Sequence, residues 1–175
     1  MDWQSTIFSV IDMRSFSNLW FWIALAVMWS TTSHWVLGVP FDMVARARRH
    51  GGSAEQDLED MVRINVNRLL QIIDDAGVTV VTVVTFALTS LAILGFVFWM
   101  EFAQAVLLLA APMTVVGMVS IGSARRIRSR GATGAALRGE LLRHRRIVQV
   151  IGMVSVFVTA MWGMYMNLTV GPFGS

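Results

Sequence analysis

The chain has 175 residues, of which 55% are hydrophobic and only 14% charged, where an average soluble domain carries about 25% charged residues. The formal net charge is +3, all 14 basic residues are arginine, and there is no cysteine. A water-soluble globular domain and a disordered chain are both excluded. So are disulfides, thiol catalysis, cysteine-held zinc or iron–sulfur clusters, and Schiff-base or P-loop lysine chemistry. What remains is an all-α integral membrane protein.

Residues 1–16 place Trp3, Ile7 and Ile11 at helical spacing with Phe8 beside them, the pattern of a short helix lying in the outer interface of the bilayer that the chain spans. They lack the basic start, apolar core and small-residue cleavage site of a signal peptide. Ser17 is placed to cap a first apolar span over 18–39, which Gly38 and Pro40 end. The stretches 78–98, 102–121 and 147–167 are each apolar over the roughly 20 residues needed to cross a hydrocarbon core of about 30 Å. Between Val78 and Ile121 the one charge is Glu101, so this run folds back as a hairpin with its turn near Trp99-Met100-Glu101. The predicted fold is a single domain: four transmembrane helices in a bundle, a cytoplasmic amphipathic helix, and an outer tail over 168–175.

Arginine placement orients the spans. Segment 40–77 carries Arg46, Arg48, Arg49, Arg63 and Arg68, and segment 122–146 carries eight more arginines. Both segments are therefore read as cytoplasmic, with both termini periplasmic and the chain in a bacterial inner membrane. Within 40–77, Gly51-Gly52 breaks the chain, and Ser53 with Gln56 resembles a capping box. The segment 54–75 then reads as an amphipathic helix. Its apolar face, including Leu58, Met61, Val62, Leu69 and Ile72, either packs on the ends of the protein's own spans or docks a partner or second copy. Asn65, amid that face, is compatible with a register-setting role or an edge position.

Segment 122–146 sets eight arginines against the single acid Glu140, whereas 40–77 has more acids than arginines. Arg125, Arg126, Arg128, Arg130, Arg143, Arg145 and Arg146 are candidate contacts to an anionic leaflet. Charge pairing between the two segments, within one chain or across a dimer, is the other reading. Nucleic acid is not an expected partner, because the segment has no interleaved aromatics or recognition motif.

Inside the first span, Ser30, Thr31, Ser33 and His34 form a candidate polar site. A structural role, proton relay, and hydrogen bonding to a quinone or a helix are the readings open to His34. Haem or metal binding lacks ligands, since His50 and His144 fall in the basic segments and no carboxylate is embedded. Stripes of small residues at Thr79, Thr82, Thr85 and Thr89, at Ala110, Thr114, Gly117 and Ser120, and at Ser155, Thr159 and Gly163 predict close helix packing. No cofactor is expected, and no catalytic motif is present.

Three stretches, Ile11 to Trp20, Ser33 to Pro40 and Arg63 to Leu69, resemble a family of small bacterial inner-membrane proteins labelled components of the SufBCD complex of iron–sulfur assembly. The resemblance covers the first half of the chain. It implies a non-enzymatic accessory or scaffold protein associated with that machinery, and without cysteine the role is that of a partner or tether. A small transporter or redox-linked subunit, using His34 and the hydroxyls of the first two spans, is the competing expectation.

Overall fold

The computed structural model describes residues 19–169. The predicted interfacial segment 1–16, the Ser17 cap and most of the 168–175 tail lie outside the described residues. The chain runs as α1 (Leu19–His34), β1 (Trp35–Val36), β2 (Val39–Pro40), α2 (Phe41–His50), α3 (Gly52–Phe96), α4 (Glu101–Arg130) and α5 (Gly134–Thr169). Among the described residues, α3, α4 and α5 are the three helices long and apolar enough to cross a membrane. The described part of α1 has 16 residues, about 24 Å at ~1.5 Å per residue. It falls short of a full crossing.

The first predicted span is therefore corrected at its end: the helix stops at His34, not Val39. The reason lies in the next six residues. Leu37 and Gly38 both take positive φ, 52° and 74°, as a two-residue type I′ hairpin turn demands. This pairs Val36 with Val39 and Trp35 with Pro40. Pro40 has no N–H to continue a helix and pushes Val39 towards extended backbone. The hairpin is held by burial, since Val36 and Val39 are 1% and 0% exposed.

Gly51 and Gly52 take positive φ between α2 and α3. The predicted Ser53 capping box does not form, because the helix starts two residues earlier with Gly51 at its N-cap and no side-chain cap bond. The predicted separate helix over 54–75 and the span over 78–98 are one unbroken helix of 45 residues. No proline interrupts it, and a break near the bilayer surface would strand backbone donors and acceptors. The arginine-rich segment 122–146 is likewise not a loop. It comprises the end of α4 and the start of α5 around a turn at residues 131–133. Gly131 there adopts the left-handed conformation and donates to the last carbonyls of α4.

All three long helices thus extend past their apolar portions at the same, charged end. There Leu58, Val62, Val66 and Leu70 of α3, spaced four apart, meet Ala124 and Ile127 of α4, Leu137 and Leu141 of α5, the hairpin valines, and Val44 and Ala47 of α2. This is the largest core. A second cluster joins Leu25 and Trp29 of α1 to Val116 of α4 and Val148 of α5. A third, at the far end, gathers Ala105 and Met166 with Phe21, Leu108 and Trp162 packed against them.

The small-residue stripes divide sharply. Ser155, Thr159 and Gly163 on α5 are buried, and Gly152 lets Trp29 approach so closely that a Cβ there would lie 2.8 Å from the indole. The threonines of α3 do not pack: Thr79, Thr82, Thr85 and Thr89 are all exposed, and Thr82 satisfies its hydroxyl on the Val78 carbonyl. None of the most apolar stretch of α3 is buried within the protein. α4 packs most extensively on α3 and next on α5, α1 joins α4 and α5 through Leu25 and Trp29, and the buried residues of α3 fall between Leu58 and Leu70 and at Gly95. At the far end Gln104, fully buried, donates to the Gly95 carbonyl at 2.7 Å and accepts from the Trp162 indole at 3.0 Å.

Candidate functional site

The two oppositely charged segments meet within one chain. Glu55 of α3 pairs with Arg138 of α5, and Glu59 accepts the backbone N–H of Gly134 at 2.7 Å. Two acids of α3 thus grip the first turns of α5, with Glu59 taking one of the donors a helix N-terminus leaves free. Between α4 and α5, Glu140 sits with its side chain only 12% exposed between Arg130 at 2.9 Å and Arg126 at 3.5 Å. The longer contact pairs charges without hydrogen-bond geometry, for Arg126 Nε and Glu140 Oε2 make no hydrogen bond.

Arg126 also donates to the Ser123 hydroxyl at 2.9 Å, and that oxygen lies 3.1 Å from His144 Nδ1. A polar ladder therefore runs Arg130, Glu140, Arg126, Ser123, His144 between the two helices. Burial and the neighbouring Arg126 guanidinium both hold the His144 imidazole below its ordinary pKa. Because Arg126 already donates to Ser123 Oγ, the hydroxyl proton is free to donate to Nδ1 of a neutral ring protonated on Nε2. Ser123 is 0% exposed, and the charged group bonded to its Oγ is the Arg126 guanidinium, whereas a hydrolytic triad has a carboxylate on the far nitrogen of the histidine to stabilise the imidazolium. The geometry does not make a nucleophile.

His144 lines a cleft of about 430 Å³ whose walls are mainly apolar, among them Trp35, Leu69, Ile72, Val116 and Val148, with Asn65 and Arg68 at its polar side. Asn65 donates to the Gly38 carbonyl at 3.0 Å, so it fixes the hairpin turn that forms one wall. On the other side of Trp35, Ser30, Thr31, Ser33 and His34 line a second recess, of about 470 Å³, together with Arg145 of α5. His34 is the last residue of α1 and is exposed. Thr32, on the inward face, bonds to the Met28 carbonyl and the Met113 sulfur instead.

The residues of the predicted docking face separate. Leu58 and Val62 are buried in the protein's own core, Leu69 is half-buried, and Met61 and Ile72 remain exposed. Ile64, not singled out in the sequence, is more exposed than either. The candidate lipid-contact arginines separate too. Arg125, Arg128, Arg143 and Arg146 are exposed, Arg126 and Arg130 are engaged by Glu140, and Arg145 lies 3.5 Å over the Phe41 ring. Among the described residues no group of three His, Asp or Glu side chains is arranged to hold a metal. Sequence reasoning missed His144 as a buried group, because flanking arginines at 143, 145 and 146 read as solvated. Its one signal is spacing: His144 lies three and seven residues after the core leucines 141 and 137.

Comparison with models of known families, with curated proteins and with solved structures finds no match to this chain. Its role has to be read from its own geometry.

Proposed function

We propose that this chain is a non-enzymatic, multi-span accessory protein of a bacterial inner membrane that holds a folded platform against the membrane surface for a protein partner. One observation carries the reading: the largest core lies outside the apolar stretches, where the charged ends of α3, α4 and α5 close over α2 and the hairpin. Such a layer is unnecessary for anchoring and is built for presentation. Its exposed apolar stripe, Met61, Ile64 and Ile72 at helical spacing along α3, is the contact surface in this reading. In this reading the arginine-rich end faces the cytoplasm, and the apolar run ending in α1 serves as the fourth crossing, which puts both termini on the periplasmic side although the 16 residues described for α1 are by themselves too short to span. The sequence resemblance names the SufBCD machinery of iron–sulfur assembly as the partner, with this chain as tether. The transporter reading finds less support, since the hydroxyls of α3 face away from the protein and do not join those of α1.

Affinity purification of the full chain from native membranes in mild detergent tests this. SufBCD components should co-purify with the wild type and be lost from Met61→Asp/Ile64→Asp, a pair of exposed positions that leaves the core intact. Recovery of the same proteins at the same level with the variant would remove the stripe as the docking surface, and their absence from the wild type would remove the named partner. Loss of a transport activity in His34→Ala, with normal insertion and assembly, would overturn the accessory role itself.

A further inference from the structure

The recess between the end of α1 and α5 has side-chain donors that no group among the described residues uses. Arg145 has no carboxylate partner among the described residues, and its Nε is buried without a hydrogen bond. The guanidinium is nonetheless held in place, its carbon 3.5 Å from the centre of the Phe41 ring, so it is oriented by a cation–π contact but not neutralised. Ser and Thr in helices commonly bond back to the carbonyl four residues earlier. Thr32 does so, whereas Ser30, Thr31 and Ser33 line the recess beside Arg145 and His34 and make no side-chain hydrogen bond among the described residues. No acid lines the recess, and among the described residues neither Asp42, beside Phe41 in sequence, nor any other carboxylate forms an ion pair with Arg145.

We infer that this recess binds the phosphate of an anionic phospholipid headgroup. Hydroxyls around an unpaired guanidinium are what a phosphodiester oxygen pair requires. Depth agrees as well, because Arg145 comes two residues before the apolar stretch of α5 begins at Ile147 and the exposed Trp35 is among the lining residues, the level at which headgroups lie. The C-terminal end of α1 also brings its negative dipole end to the recess. That opposes a bare multivalent anion and favours a headgroup carrying its own donors, such as the glycerol hydroxyls of phosphatidylglycerol. The site thereby joins the polar cluster of α1 to one arginine out of fourteen, a selective contact in place of diffuse attraction. The inference rests on the membrane reading of the chain and is independent of any protein partner.

The test uses the full chain reconstituted into bilayers, with insertion checked by flotation in phosphatidylcholine vesicles so that failure of the membrane reading is seen separately. Native mass spectrometry then counts retained lipid from phosphatidylglycerol/phosphatidylcholine mixtures. The wild type should retain one phosphatidylglycerol per chain. Arg145→Gln should retain it about five- to tenfold less tightly, Ser30→Ala/Ser33→Ala should weaken it in the same direction, and Arg146→Gln should leave it unchanged. If Arg145→Gln does not fold, the double serine variant decides. Equal losses for Arg145→Gln and Arg146→Gln, or no preference for phosphatidylglycerol over phosphatidylcholine, overturns the proposal. Displacement of the lipid by millimolar inorganic phosphate overturns the lipid assignment in favour of a soluble phosphate.

Discussion

Asn65 donates its side-chain amide to the carbonyl oxygen of Gly38 at 3.0 Å, tying the turn between the two short strands to the first half of α3. The bond spans 27 residues of sequence and stabilises a turn in which Leu37 has φ 52°, an uncommon conformation for a residue with a side chain. The turn in turn presents Val36 and Val39 to the core and Trp35 to both recesses. Asn65→Ala should cost about 0.5–1.5 kcal/mol. Gly38→Ala should cost more, since its φ of 74° is strained for alanine and its Cβ would lie 3.1 Å from the Asn65 amide. Thermal unfolding in detergent, followed by circular dichroism, checks the order.

The Glu55–Arg138 pair is partly shielded, with side chains 29% and 22% exposed. Reversing either charge alone should destabilise the platform by about 1 kcal/mol, and the double reversal Glu55→Arg/Arg138→Glu should recover most of that. The coupling should shrink as salt is raised. A double-mutant cycle at low and high ionic strength measures it, and an additive cycle would remove this pair as a link between α3 and α5.

His144 is buried with its pKa held below the ordinary value of 6.5. The unfolded chain therefore binds the proton more readily than the folded one. Stability should be intact above that ordinary value and fall as the pH drops from it through the lower, folded-state pKa. Unfolding midpoints measured across this acid range should decline less steeply for His144→Gln than for the wild type. The same slope in both would assign the acid sensitivity to another group.

Gly152 should tolerate no side chain while Trp29 is present. A Cβ would stand 2.8 Å from Trp29 Cε3, so Gly152→Ala should destabilise the α1–α5 contact by roughly 1–3 kcal/mol through overpacking. Trp29→Leu in the same chain should relieve part of that cost. Unfolding midpoints of the two single variants and the double variant decide whether the effects couple.

Leu58 and Leu141 are 1% and 0% exposed in the core at the charged end, and each truncation to alanine should cost about 2–5 kcal/mol. Ile72→Ala, at 48% exposed, should change stability little. Proteolysis of the charged end in intact vesicles should rise for the two leucine variants alone. This contrast also separates the core face of α3 from the stripe assigned to a partner.

Much of this was readable in the residues. The leucine and valine spacing from Leu58 to Leu70 marks one helical face, and the apolar lengths of α3, α4 and α5 require helices long enough for a bilayer. The Ser155, Thr159 and Gly163 stripe marks the packed side of α5. Other features gave misleading local signals. Gly77, beside Asp74 and Asp75, looked like a boundary, yet α3 passes through it because continuing the hydrogen-bond ladder costs less than ending it. The threonine stripe of α3 resembled a packing seam and is exposed. A helix face shows that it is small or polar, but not whether another helix lies opposite.

By itself, the sequence determined that this is a helical, membrane-type protein, that its charge is confined to particular segments, and that thiol, lysine and cysteine-held metal chemistry are absent. These follow from composition and from periodicities a few residues long. Only the tertiary structure decided that Glu55 meets Arg138 across 83 residues, that His144 is buried on Ser123, and that Arg145, with no carboxylate partner among the described residues, stands beside Ser30, Thr31 and Ser33. Those juxtapositions depend on the relative rotation and register of helices, which burial of the whole core sets at once and no local stretch of residues specifies.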